Sequence, residues 1–197
     1  MSNYKKLGIF LKPSSETVIE ITKTKEYFKK IGIDNRFLDD RPHLTLLHGY
    51  YKDPEKVVKK FNAFEYSAIQ YQIEAPHVFY DDIQEGFHTL AYLLKKNQKI
   101  LNLQENLIDI FRPDLQSSFS NIEEKYLQNI KNHKYPFVGK DLIAHISVGN
   151  LNLKKNHKSI INFLNLEYKT KGIFESLFIA EIKDDTLFLL KEKNHEI

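Results

Sequence analysis

Apolar and polar positions alternate along this chain in two distinct periods. YKKLGIFLKP (Tyr4–Pro13) has the density of a strand and stops at proline. From Ser14 the spacing changes. Val18, Ile21, Tyr27, Phe28 and Ile31 fall on one broad helical face, with Ser15 as the expected N-cap and Gly32 as the stop. RPHLTLLHGYY (Arg41–Tyr51) predicts the next strand. Asp53 and Pro54 then open a helix to about Phe61, as N-cap and first-turn residue. Ala68–Tyr80 and His88–Lys95 predict strands, Asn97–Phe111 an amphipathic helix, and Leu142–Leu151 a strand. Asn156–Leu164 predicts a helix, and GIFESLFIAEIKDD with TLFLLKEK a closing pair of strands.

Residues 113–140 break the rhythm. The stretch is polar, with one predicted helix (Ile122–Lys131) and no strand signal. It is expected to be a helical insertion or an excursion flanking a cleft. Elsewhere helices and strands alternate, but several strands follow one another through short turns. That favours an α+β fold with mainly antiparallel sheets over a doubly wound parallel one.

The 197 residues suit one domain, either a single body or two small lobes around a shared core. There is no cysteine, which excludes disulfides, thiolate metal sites and a Cys nucleophile. The first ten residues lack a secretory apolar segment, and no apolar run approaches the ~20 residues that span a bilayer. A cytoplasmic protein without membrane attachment is expected. Net charge is +3, and lysine pairs recur without forming one dense block. Such a surface can steer a polyanion, but it is not the one-sided basic face of a dedicated nucleic-acid binder.

The sequence has no Gly-rich phosphate loop, no HExxH and no EF-hand loop. What stands out is a repeat. His43-Leu44-Thr45-Leu46 and His145-Ile146-Ser147-Val148 each set a histidine and a hydroxyl two apart in an apolar strand. Side chains at i and i+2 share a strand face, so each strand would show imidazole and hydroxyl on one side and bury aliphatics on the other. A third His-x-Ser, His157-Lys158-Ser159, lies in a polar stretch at a helix start and lacks that context. The two retained copies are 102 positions apart, which suits one copy per lobe. His48, five residues after His43, should face away from it on a regular strand.

Two histidines on opposite sides of a phosphate suit in-line displacement. One takes a proton from the nucleophile and the other gives one to the leaving oxygen. The hydroxyls can donate to the non-bridging oxygens. This chemistry needs neither metal nor cofactor. Tyr50 and Tyr51 are candidates for stacking on a base, and Lys140 for touching a phosphate.

PHLTLLHG and AHISVGN resemble the two motifs of the 2H phosphoesterase superfamily, which includes 2′-5′ RNA ligase-type enzymes and 2′,3′-cyclic and 2′-5′ phosphodiesterases. The resemblance implies a bilobal, pseudo-symmetric α+β fold with outer helices and one motif per lobe, facing a central cleft. It implies that His43 and His145 are the acid–base pair, with Thr45 and Ser147 holding the phosphate. Which histidine is base and which is acid stays open at this level. Ala144 stands where many members carry proline, and the 113–140 stretch is long for a minimal member. The expected activity is metal-independent phosphodiester hydrolysis by a monomer acting on a nucleotide, an oligonucleotide or an RNA end. The alternative is a nucleotide- or RNA-binding module that keeps the fold without turnover.

Overall fold

The computed structural model describes residues 4–32, 38–82, 87–116, 122–168, 170–184 and 186–195. The chain runs β1 (Lys5–Lys12), α1 (Ser15–Lys30), β2 (Leu44–Tyr51), α2 (Pro54–Ala63), β3 (Gln70–Phe79), β4 (His88–Leu94) and α3 (Gln98–Phe111). It continues through α4 (Leu127–His133), β5 (His145–Leu151), α5 (Lys158–Leu164), β6 (Lys171–Ile173), β7 (Ser176–Lys183) and β8 (Thr186–Asn194). Asp53 caps α2 by accepting from the Lys56 amide, with Pro54 in the first turn.

The strands form two antiparallel four-stranded sheets, ordered β2-β1-β7-β8 and β5-β4-β3-β6. Each sheet supports one lobe, and each carries its motif strand at an edge. The two motif strands, β2 and β5, pack against each other at the centre. The fold is therefore bilobal and pseudo-symmetric, and a core of aliphatic and aromatic side chains from both sheets and the helices joins the lobes.

The expected single strand GIFESLFIAEIKDD is two. β6 pairs with β3 in the second sheet, and β7 pairs with β1 in the first. The change of partner takes two residues. The Phe174 amide donates to the Ile69 carbonyl, and the Glu175 amide donates to the Lys12 carbonyl.

Helix α1 also differs from expectation. It starts at Ser15, so Ser14 holds the N-cap position. The Ser14 hydroxyl meets Thr17 Oγ1 and Tyr71 Oη rather than a helix amide. The buried stripe is Thr17, Ile21, Lys25 and Phe28, while Tyr27 and Ile31 are exposed. Burying Ile21 and Phe28 contributes ~1.5–3 kcal/mol each. The stripe keeps helical spacing, but it admits a threonine and a lysine among its apolar members.

The described residues of the 113–140 stretch pack along β2 and the cleft. Leu115 bridges to Tyr50, and its neighbour Pro113 lies over Gly49, where a Cβ would come within 2.5 Å of the proline ring. Only a glycine lets the two segments come this close.

Candidate functional site

Each motif histidine stands where its strand begins: His43 immediately before β2, and His145 as the first residue of β5. In each, Nδ1 meets the carbonyl two residues earlier. His43 binds the Arg41 carbonyl at 2.8 Å, and His145 binds the Ile143 carbonyl at 2.7 Å. A carbonyl only accepts, so Nδ1 carries the proton in both rings. Nε2 is then the atom left to act in the cleft.

Phenylalanines wall both rings. Phe10 lies edge-on to His43 at 4.7 Å between centroids, with Phe178 at 6.2 Å, and Phe79 lies 4.9 Å from His145. Each histidine is half-buried and keeps an open edge on one cleft of ≈ 520 Å³. Thr45 and Ser147 line the same cleft. The structure thus brings all four motif side chains together.

The local strand geometry repeats as well. Between β1 and β2 the register runs Ile9↔Leu47 and then Phe10↔Thr45, so Leu46 is skipped. Between β4 and β5 it runs Leu90↔Gly149 and then Ala91↔Ser147, so Val148 is skipped. A bulge therefore follows each hydroxyl by one residue. Bulges bend a strand and re-aim the side chains beyond them. Here the parity inverts, so His48 lines the cleft with His43 and Thr45. The expectation that His48 faces away assumed an unbroken strand. Its ring lies edge-on to Tyr135 at 5.2 Å.

The electrostatics of the two histidines differ. Enclosure by protein lowers the His43 pKa to about 4, against the pull of the Arg41 carbonyl; the charges of Lys25, His145 and Arg41 lower it further. A charge on His145 thus opposes one on His43. Burial also lowers His145 and His77 adds to that, while the Ile143 carbonyl and the Asp82 carboxylate oppose it. Lys25 and Arg41 act on His43, whereas the Asp82 carboxylate as well as His77 acts on His145.

The three further sequence candidates are not among the cleft-lining residues. Tyr51 is a core side chain, 3% exposed, with its hydroxyl donating to the Phe111 carbonyl at 2.6 Å. It cannot offer a face to a base. Tyr50 is half-buried and bridges to Leu115 through its backbone. Lys140 is exposed in a short 3-10 turn, Gly139–Asp141. The 113–140 stretch supplies other cleft residues instead, among them Glu123, Tyr126, Tyr135 and Phe137.

No protein-family model matches the sequence, and no curated protein matches it. Solved structures do match. TT0787 of Thermus thermophilus superposes with a TM-score of 0.63 at 12% identity, covering 96% of this chain and 97% of that one. Escherichia coli LigT complexed with ATP gives a TM-score of 0.54 at 11% identity, over 100% of both chains. A crystal structure described as a phosphoesterase gives 0.55 at 8% identity, over 98% of this chain and 99% of that one. The chain shares the fold of these solved structures.

Within that fold, two of this chain's cleft residues had little or no sequence signal. His48 needed the bulge, although the fifth residue after each motif histidine, His48 and Asn150, is polar in both copies. Lys25 lines the cleft from α1. Its signal was a charge at helical spacing within an apolar stripe. The third His-x-Ser proves to be a helix cap, with His157 Nδ1 accepting from the Ser159 amide at 3.2 Å.

Proposed function

We propose that this chain is a metal-independent phosphodiesterase that hydrolyses a 2′,3′-cyclic phosphate or a 2′-5′ phosphodiester in a nucleotide, an oligonucleotide or an RNA end. One observation carries the reading. Two histidines with matched Nδ1 anchors border one cleft, each with a hydroxyl two residues on. LigT, which has the same fold, is described in complexes with ATP and with 3′-AMP.

The asymmetry of charge divides the roles. His43, kept neutral by burial and by the cations near it, is the base: its Nε2 takes a proton from the attacking water as the new O–P bond forms. His145, with Asp82 near it, is the acid: it gives a proton to the leaving oxygen as the old P–O bond breaks. The incoming phosphate anion favours the protonated form that this step requires. Thr45 and Ser147 donate to the non-bridging oxygens, where charge grows in the transition state. The product is a phosphate monoester, and solvent exchange restores both rings.

The test is turnover of 2′,3′-cyclic nucleotides and 2′-5′ oligoadenylate in EDTA, with product analysis. Hydrolysis by the native chain, lost in His43→Ala and His145→Ala, is expected. Binding without turnover would instead indicate a nucleotide-binding module, and a requirement for added divalent metal would overturn the mechanism.

A further inference from the structure

One hydroxyl in the cleft stands apart from its kind. Tyr135 is 3% exposed and lines the cleft from the 113–140 stretch. Tyr51, Tyr66, Tyr71 and Tyr92 are buried as well, and each has a protein partner for its hydroxyl: the Phe111 carbonyl, the Lys193 carbonyl, Thr17 and Thr24. Tyr126 has the Lys125 ammonium against its ring. Among the described residues no group hydrogen-bonds to the Tyr135 hydroxyl. Burial alone raises its pKa, so it stays protonated near neutral pH. A buried phenol without a partner destabilises the fold, and a phenylalanine would fill the same space without that cost.

The surroundings say what such a hydroxyl could meet. The Tyr135 ring lies edge-on to His48 at 5.2 Å between centroids and edge-on to Phe137 at 5.9 Å. Phe137 in turn meets Tyr126 edge-on at 5.2 Å, and Tyr126 and Leu142 line the same cleft. His48 lies three residues past Thr45 on β2, beyond the bulge. This aromatic corner therefore adjoins the hydroxyl that would hold the phosphate, and it stands off the row of reacting groups. Apolar walls with a few placed polar groups suit a flat ring with a polar edge. Among the parts of a nucleotide, that is the base. A phenol can donate to a ring nitrogen or a carbonyl, and it can accept from an amino group.

We propose that Tyr135 is a specificity-determining residue of this cleft, its hydroxyl sharing a hydrogen bond with the polar edge of the nucleobase that the bound phosphate carries. The proposal rests on the phosphodiesterase reading for the place of the phosphate, and it adds what that reading leaves open: the cleft sorts its ligands by base. The motif strands supply the reaction, and the 113–140 stretch supplies the choice. Bases differ in where their edges carry donors and acceptors. One hydroxyl at a fixed position cannot suit all of them equally.

The test titrates 3′-AMP, 3′-GMP, 3′-CMP and 3′-UMP into the native protein and into Tyr135→Phe, with inorganic phosphate as the ligand that has no base. The native protein should bind its best nucleotide ~10-fold or more tightly than its worst, the scale of one well-placed hydrogen bond. In Tyr135→Phe the preference should collapse: the favoured nucleotide loses ~10-fold, while the disfavoured ones and inorganic phosphate keep their native affinities. The Tm of the variant should equal or exceed the native value, because an unpaired buried polar group has gone. A merely structural hydroxyl would give the opposite pattern, with Tm lowered and binding unchanged, and that overturns the proposal. So does equal binding of the four nucleotides by the native protein, or a native-like preference in Tyr135→Phe. A loss shared by all four nucleotides or by inorganic phosphate also overturns it, since it would put the hydroxyl on phosphate or ribose. If the base preference behaves as expected but no phosphodiester is turned over, the enzymatic reading falls and the Tyr135 site stands. Failure of the native chain to bind any of the four overturns both.

Discussion

The Gln104 side chain donates to the Leu46 carbonyl at 2.9 Å, and Leu46 is the residue that the β1–β2 register skips. A bulge removes a residue from the ladder, and its carbonyl needs another partner. Gln104, fully buried on α3, also donates to the Phe137 carbonyl and accepts from the Gly139 amide. One side chain therefore ties the kink in the first motif strand to the segment that walls the cleft. Gln104→Leu should lower stability by ~1–3 kcal/mol by leaving buried backbone groups unpaired. Urea denaturation checks this. kcat should fall as well, because the bulge that aims His48 and seats Thr45 would lose its tie.

The hydroxyls give a second expectation. Thr45→Val and Ser147→Ala remove one donor each without emptying the strand face. Each should cost ~10²–10³ in kcat against a cyclic nucleotide, the scale of losing one transition-state donor. KM should move much less. Steady-state kinetics in EDTA separate the two, and a pure KM effect would demote the hydroxyls to ground-state binding.

Acid sensitivity follows from His43. Its pKa is about 4 in the folded protein and near 6.5 in the unfolded chain, where its ordinary value applies. Between those values the unfolded chain binds more protons, so stability rises with pH. The contribution is complete above about pH 6.5 and is lost as pH falls toward 4. His145 acts in the same direction. Urea midpoints at pH 7, 5.5 and 4.5 should fall steadily in the native protein and less steeply in His43→Gln. An equal slope in the two would contradict the neutral, enclosed imidazole.

Gly49 gives a packing expectation. A Cβ there would meet Pro113 at 2.5 Å. Gly49→Ala should push residues 113–115 away from β2 and destabilise by ~1–3 kcal/mol, as overpacking does. The Tyr50–Leu115 pairing should open, which amide exchange at Tyr50 would report.

Much of this architecture is legible in the sequence, for physical reasons. The period-two and period-3.6 patterns place β1 through α3 within three residues of where they lie, the start of β2 being furthest off. The two histidine–hydroxyl pairs come through because i, i+2 spacing survives up to the bulge. His48 does not, because a bulge is set by pairing with β1 and leaves no mark on its own strand's alternation. Tyr51 is hidden for the same reason: beyond the bulge its parity points inward, to the Phe111 carbonyl. Lys25 escapes because a lysine is ordinarily solvated surface. The division of GIFESLFIAEIK into β6 and β7 is invisible locally, since both halves are apolar and only long-range partners distinguish them.

The crossing at Phe174–Glu175 bears on how the molecule assembles. β1 lies between β2 and β7, and β7 is contributed by the last quarter of the chain. During synthesis β1, the strand on which β2 and His43 rest, has only β2 beside it until residue 176 and beyond have emerged. Contacts of such long sequence separation form late and slow folding. The half-site nearest the N-terminus is thus among the last to become rigid. Cutting the chain between the two motifs could not yield an independently folded first lobe, because its central strand would lack a neighbour made from the other end.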